Sequence, residues 1–143
     1  MKGEIRDLAL DQAERIASLG FGSPAVTIRA DQDFRVNFTV TNTGGVDFTA
    51  SVEAQAIGPA RTFSARAIDT PVAKGQSFSR NVVFLRSNFG IAAWDPGAFN
   101  LKVILRNAAN NAVLDTVDLP GELIISAPAG AAGKLSGVSV MAL

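Results

Sequence analysis

Apolar and polar residues alternate strictly between positions 34 and 41. The apolar positions are Phe34, Val36, Phe38 and Val40, and all of the positions between them are polar. This period of two is typical of a β-strand that buries one face. The Asn42–Gly45 segment that follows predicts a turn, because Asn and Gly tolerate backbone conformations with positive φ. A half-buried strand needs partners, so we expect a sheet built around it.

The same alternation recurs along the chain and is interrupted by turn-forming residues. The predicted strand segments occupy residues 48–57, 62–68, 77–85, 99–106, 113–117 and 122–126. Turn chemistry separates them at Gly58-Pro59, at Lys74-Gly75-Gln76, from Asn107 to Asn111 and at Pro120-Gly121. Short strands, roughly seven to eight of them, with a turn about every ten residues predict an all-β sandwich or barrel.

Residues 4–20 are open to two interpretations. One is a single helix ended by the glycines at 20 and 22, because these apolar residues recur at helical spacing: Ile5, Leu8, Ala9, Ala13, Ile16 and Leu19. The other is an edge strand over Glu4–Leu10, then a shorter helix from about Asp11 to Leu19 with Asp11 as N-cap. We favour the second, followed by a short strand over 25–30. Residues 1–32 are therefore predicted to be a strand-and-helix extension packed on the domain.

Residues 127–143 differ in composition from the rest of the chain. A run of Ala, Gly and Pro is followed by apolar residues that Ser and Gly separate: Leu135, Val138, Val140 and Leu143. Such a segment is a flexible tail or a strand that returns to its own sheet, or it is an arm that adds a strand to a neighbouring subunit. The sandwich itself is expected to span residues 33–126.

Charge and composition narrow the functional classes. Thirteen Lys and Arg balance thirteen Asp and Glu, and no block of like charge occurs, so we expect neither nucleic acid nor an acidic membrane as partner. His, Cys and Tyr are absent, which leaves few groups for catalysis or for binding transition metals. The sequence therefore predicts a protein that is not an enzyme and has no cofactor.

The sequence carries no recognisable targeting segment. Met1–Asp7 has charges where a secretion signal has an apolar core, and no apolar run approaches the ~20 residues that span a bilayer. We expect a chain made without a visible signal peptide and not inserted into a membrane. Asn37-Phe38-Thr39 matches a glycosylation sequon, but it lies in the middle of a predicted strand and is not expected to be used.

Asp31 and Asp33 are candidate calcium ligands. They flank a predicted turn, and Asp7 or Asp11 would join them if the fold brought the four carboxylates together. Ca²⁺ prefers about six to eight oxygen ligands, so two carboxylates are too few. The simpler interpretation is that both are turn residues, and no metal site is predicted.

Asp115 and Asp118 form another acidic pair, but residues three positions apart on a strand face opposite sides of a sheet. No catalytic residue is therefore predicted. Trp94, in a loop expected over 86–97, is either an anchor for the core or an exposed contact for a sugar or a protein. The candidate interaction residues are Trp94, Leu135, Val138, Val140 and Leu143.

Two segments resemble a known family. Val40-Thr41-Asn42-Thr43-Gly44 is similar to the V-x-N-x-G turn of bacterial and archaeal immunoglobulin-like adhesion modules, the CARDB-like domains. Trp94-Asp95-Pro96-Gly97-Ala98-Phe99 resembles the element that begins a long hydrophobic strand in that family, although the family often has Tyr where Phe99 stands. The resemblance covers about residues 33–126. It implies an immunoglobulin-like β-sandwich of roughly seven to eight strands.

Together these features predict a non-enzymatic structural or assembly module that acts through protein–protein contacts. We expect a homo-oligomer that binds copies of itself or the lattice of a larger particle. A virion protein of the capsid-decoration or tail type is the expected example, by analogy with immunoglobulin-like domains on such shells. The alternative is a carbohydrate- or ligand-binding module that uses Trp94 and its loop.

Overall fold

The computed structural model describes residues 2–12, 15–18 and 26–127. Over these residues the chain forms ten strands and one short 3₁₀ helix. The strands are β1 (Gly3–Gln12), β2 (Arg15–Ser18), β3 (Val26–Arg29), β4 (Phe34–Asn42), β5 (Phe48–Ile57), β6 (Thr62–Arg66), β7 (Thr70–Val72), β8 (Ser77–Phe84), β9 (Gly97–Asn107) and β10 (Val113–Ser126), and the 3₁₀ helix is Arg86–Phe89. In this part of the chain, no helix is long and apolar enough to cross a membrane.

The strands form two sheets. The first has four strands in the order β2-β1-β4-β8, and all of its neighbours are antiparallel. The second has six strands, ordered β3-β10-β9-β5-β6, with β7 paired to the other half of the same edge of β5. In this sheet β3 and β10 run parallel. The prediction of an all-β fold is confirmed.

The core lies between the two sheets and follows the alternation seen in the sequence. Every second residue of β4, from Phe34 to Val40, is buried, and β5 and β9 supply the facing side chains, among them Val52 and Leu105. The largest fully buried side chains are Trp94, Phe34, Phe38, Phe84, Phe99, Leu101, Leu105 and Leu123. Removing these side chains from water is the main driving force for folding.

The predicted helix from about Asp11 to Leu19 is wrong over the residues that the structure describes. β1 continues through Asp11, and Arg15–Ser18 forms β2, which folds back on β1 as an antiparallel neighbour. β1 also pairs with β4, including Asp11 with Arg35, so its backbone has strand partners on both sides. Sheet pairing here overrides a weak helical preference. The other residues of the segment lie outside the described part.

A β-bulge in β1 explains the helical spacing in the sequence. The register with β4 shifts between Arg6 and Ala9, and Asp7 within the bulge has a φ of 53°. The extra residue of a bulge reverses the side that the following side chains face. Ile5 and Leu8, three positions apart, are therefore both buried. Because a helix would also place them on one face, periodicity alone could not separate the two structures.

Pro120-Gly121 forms an irregularity within β10 and not the predicted turn between two strands. The register with β9 shifts between Leu119 and Leu123, and Gly121 has a φ of 66°. Both leucines remain buried. Beyond the shift, Leu123–Ile125 pairs with β9 on one side, and Leu123–Ser126 pairs with β3 on the other. One strand of 14 residues thus replaces the two predicted ones.

Candidate functional site

Trp94 closes one end of the space between the sheets. Its side chain is only 1% exposed, and Nε1 donates a hydrogen bond of 2.8 Å to the carbonyl of Gln32. Its backbone N–H donates to the carbonyl of Ala30 at 2.8 Å. The indole packs against rings from both sheets and from the 3₁₀ helix: Phe34, Phe63, Phe84 and Phe89. In this position it offers no face to a ligand, which agrees with the core-anchor interpretation.

Two Arg–Asp pairs hold the backbone around Trp94. The backbone N–H and the Nε of Arg86 both donate to Asp33 Oδ1 at 2.9 Å. Arg61 donates to both carboxylate oxygens of Asp95, at 2.6 and 2.8 Å. The backbone hydrogen bond lowers the pKa of Asp33, and the Arg61 side chain lowers the pKa of Asp95. Both carboxylates are thus held in their charged form, and their hydrogen bonds hold the loop that contains Trp94 in place.

The candidate calcium ligands are separately engaged. Asp31 is paired with Arg29, with 3.0 Å between Oδ2 and Nη2, while Asp33 binds Arg86. Asp7 lies at the bulge of β1, and the Asp11 side chain is outside the described part. Among the residues described, no group of three or more acidic residues is arranged to hold a metal ion. The structure therefore does not bring the carboxylates of Asp7, Asp31 and Asp33 together to hold a metal ion.

Asp115 and Asp118 also have different surroundings. Asp115 Oδ2 accepts the backbone N–H of Ile5 at 2.9 Å, which ties β10 to β1 in the other sheet. Asp118 stands beside Lys102 in the register of β10 with β9. Because their positions on the strand differ by three, the two side chains face opposite sides, as expected.

Glu53 is the centre of a hydrogen-bond network that no pattern in the sequence predicted. Its carboxylate accepts hydrogen bonds from Ser64 on β6 and from Arg106 on β9, the latter at 2.7 Å. The Ser64 hydroxyl contributes most to lowering the pKa of Glu53, and Arg106 lowers it further. The sequence indicates only that Glu53, Ser64 and Arg106 occupy outward positions on their strands. The register of these strands is needed to show that the three side chains meet.

A groove of about 460 Å³ runs between β8 and the segment that follows β6. Ile68 and Val83 flank it, and they are 77% and 39% exposed. These are two of the few large apolar side chains that the described residues leave in water. The full lining is Arg66, Ala67, Ile68, Ser79, Arg80, Asn81, Val83 and Asn88. The groove therefore combines apolar contacts with amides and hydroxyls, as interaction surfaces commonly do.

The backbone of β8 borders this groove with an unpaired edge. β8 is the last strand of its sheet, and in the described part it pairs only with β4. The N–H of Asn42 donates to the carbonyl of Gln76 at 2.9 Å, just beyond the strand ladder. Hydrogen-bonded positions alternate along an antiparallel pair. The even-numbered residues of β8 therefore bond to β4, and the odd-numbered ones direct their N–H and C=O groups outward.

Two arginines line the groove, and Arg80 is the one that an incoming group would contact directly. Arg66 is engaged, since Nη2 donates to the Ser51 hydroxyl close to the Glu53 network. Arg80 lies opposite Phe38 on the core-facing side of β8 and lines the groove. No acidic residue is among the lining residues that the structure describes. A charge on the inward side of an edge strand discourages pairing with arbitrary strands.

The sequence held a partial signal for this groove. Val83 is apolar although it lies on the outward-facing side of β8, where the other residues are polar. Nothing in the sequence placed Ile68 beside it. The other candidate interaction residues, Leu135, Val138, Val140 and Leu143, lie outside the described residues.

Comparison with known proteins yields a fold and no family. No family model and no curated protein matches the chain. A Niemann-Pick type C2 protein from the Japanese carpenter ant has a TM-score of 0.55 at 12% identity, over 88% of this chain and 94% of that one. The alkylpurine DNA glycosylase AlkC from Pseudomonas fluorescens, bound to DNA containing an abasic site analog, has a TM-score of 0.51 at 14% identity. The match covers 86% of this chain but only 30% of AlkC. At such identities the likeness concerns the fold alone.

Proposed function

We propose that this chain is a non-enzymatic assembly module with an immunoglobulin-like fold, and that it forms homo-oligomers by binding copies of itself through the β8 groove. The observation that carries this function is the exposed pair Ile68 and Val83 beside the unpaired edge of β8. An unpaired strand edge supplies main-chain hydrogen bonds to an added strand, and adjacent apolar side chains supply contact area.

The strand order supports the immunoglobulin-like assignment. In such domains the first, second and fifth strands share one sheet, and strands C, F and G share the other. Here β1, β4 and β8 are neighbours in that order, and β10, β9, β5 and β6 follow the order G-F-C-C′. Asn42, from the V-x-N-x-G segment, is buried at the end of β4, where its side-chain amide donates to the carbonyls of Val46 and Val72. We propose the CARDB-like resemblance on the segment Val40–Gly44, which contains Asn42.

The state of the acidic groups supports a non-enzymatic role. A general acid or base works best with a pKa near the operating pH. The carboxylates of Asp33, Glu53 and Asp95 have pKa values lowered by hydrogen bonds, which moves them away from that range. Each also binds an arginine that ties two elements of the fold together. Placement on a virion or another particle surface stays a prediction.

The test compares two double variants of the full chain. Replacing both groove residues, Ile68→Ser with Val83→Ser, should weaken self-association about tenfold or more in light scattering across a concentration series. The matched control, Val46→Ser with Val113→Ser, removes two other exposed valines, which are 52% and 57% exposed. It should leave the association unchanged. A full chain that is monomeric at every concentration, or a control that weakens association equally, would contradict the proposed function.

A further inference from the structure

On the basis of the function proposed above, we infer that the C-terminal arm of a second copy, residues 128–143, pairs with β8 through its apolar part, residues 135–143, and fills the groove. The occupant would be an added strand on the first sheet, in the position that strand D takes beside strand E in constant-type immunoglobulin domains. None of the described residues takes that position. Main-chain hydrogen bonds would give affinity, and alternate side chains would enter the groove.

The length of β8 favours this edge over the others. β8 has eight residues and is about 26 Å long, whereas the other described edge strands have three to five. Its pairing with β4 is regular from Ser77 to Phe84, without a bulge that would twist the edge away. A long and regular free edge is the geometry that strand addition requires.

The chemistry of the C-terminal segment fits the groove. Val138, Val140 and Ala142 alternate with Ser139 and Met141, which is the period of a strand with two different faces. Lys134 is the sole charged side chain from 128 to 143, and no proline follows Pro128. Small and β-branched side chains suit a shallow groove bordered by Ile68 and Val83.

Arg80 restricts which strands are accepted. Arg80 lines the groove and stands on the core-facing side of β8, where an added strand would place every second side chain. A basic side chain at that point would be repelled, whereas a hydroxyl accepts a hydrogen bond from it. The C-terminal segment offers the hydroxyls of Ser136 and Ser139 near its valines.

The position of β10 favours the arm of a second copy. β10 ends at Ser126 in the second sheet, with β9, β5 and β6 between it and the groove. An arm of the same chain would have to pass from the β10 side of the second sheet to β8 at the edge of the first sheet, across the width of the sandwich. A neighbour's arm approaches from the open side, and its length of about 50 Å when extended is ample.

The absence of cysteine makes a direct crosslinking test possible. Full chains carrying one cysteine on β8, Ser79→Cys or Asn81→Cys, are mixed with tagged full chains carrying one cysteine in the arm, at 138, 139 or 140. Oxidation should give a disulfide-linked heterodimer for at least one combination, because paired strands bring Cβ atoms within bonding range. Chains with Thr116→Cys, on the outer face of β10, are the control and should give none.

Two further measurements keep the outcomes distinct. Placing charge in the arm, Val138→Asp with Val140→Asp, should weaken self-association about tenfold, while Ala129→Asp with Ala131→Asp in the Gly/Ala-rich spacer should not. If only the groove variant weakens association, the arm is not the occupant, although the proposed function stands. If the aspartates in the arm strengthen association, the Arg80 charge favours an acidic partner, and this result would contradict the inference.

Chains that carry both cysteines decide between one copy and two. Val140→Cys combined with Asn81→Cys should give linked dimers at high protein concentration. A monomeric, internally crosslinked product that persists on dilution would show the arm folding back on its own groove, and would overturn the role of a second copy. Uniformly monomeric chains, without crosslinks, would contradict both this inference and the proposed function.

Discussion

The Trp94 end of the sandwich and the β8 groove give opposite environments to neighbouring side chains. Phe84 is completely buried among the rings around Trp94, whereas Val83, one residue earlier on β8, is exposed at the groove. At the Trp94 end, the indole N–H and two arginines have partners. At the groove, a whole strand edge has none among the described strands. The first region therefore serves stability, and the second is available for binding.

The difference shows how one strand can serve both purposes. A strand alternates its side chains between two faces, so β8 buries Val82 and Phe84 and leaves Val83 between them exposed. Its backbone alternates as well, bonding to β4 at every second residue. Substitutions on the two faces should consequently separate stability from association.

Trp94→Ala should have the largest effect on stability. It empties the space between four phenylalanine rings and removes the hydrogen bond to Gln32, so we expect a loss of about 3–5 kcal/mol in the free energy of unfolding. Urea denaturation followed by circular dichroism measures it. Trp94→Phe, which keeps an aromatic ring, should lose considerably less. A loss below about 1 kcal/mol for the alanine variant would show that the ring cluster does not hold the sheets together.

Asn42→Ala should rank second. The Asn42 side chain is fully buried, donates to the carbonyls of Val46 and Val72, and accepts the backbone N–H of Gly44. Alanine would leave these buried groups without partners, at a cost of about 1–3 kcal/mol. The control is Asn37→Ala on the outer face of β4, which should change stability by less than about 0.5 kcal/mol. Equal effects of the two variants would contradict the buried role.

Glu53→Gln should have a smaller, pH-dependent effect. Because the folded state lowers the pKa of Glu53 below its ordinary value of 4.5, its ionised form stabilises the fold above that pH. We expect a difference from the unaltered chain of about 1 kcal/mol at pH 7, which shrinks below pH 4.5 and disappears as the pH falls through the folded-state pKa. Urea denaturation at a series of pH values measures it.

The matched variant for Glu53 is Ser64→Ala. It removes the hydroxyl that lowers the pKa most and keeps the Arg106 ion pair at 2.7 Å, so it should show the same trend with smaller size. A stability difference that grows as the pH falls would be opposite in sign and would contradict the network.

Ile68→Ser should have the smallest effect on stability. Its side chain is mostly in water, so we expect a change of less than about 0.5 kcal/mol in the free energy of unfolding, even though the same substitution contributes to the loss of association. Thermal unfolding at low protein concentration measures it. A loss comparable to that of Asn42→Ala would mean that Ile68 belongs to the core, and the contrast between the two regions would fail.

Strands with one buried face were determined by the sequence itself. The alternation along β4, β5, β8 and β9 places their bounds within a few residues, and the Asn-rich segment from Asn107 to Asn111 predicts the hairpin between β9 and β10. Local alternation suffices there because the buried face of a regular strand leaves a period of two. Where a bulge breaks that period, as between Ile5 and Leu8, the same reasoning left a helix and a strand open, and the strand is the one that forms.

Only the tertiary structure decided which surfaces are closed and which are open. Trp94 lies in a loop, so its burial depends on rings that β4, β6, β8 and the 3₁₀ helix bring together. The free edge of β8 depends on the order of strands in its sheet, and its approach to Ile68 depends on how the two sheets pack. Such contacts join residues far apart in the chain, and a pattern of neighbouring residues carries no information about them.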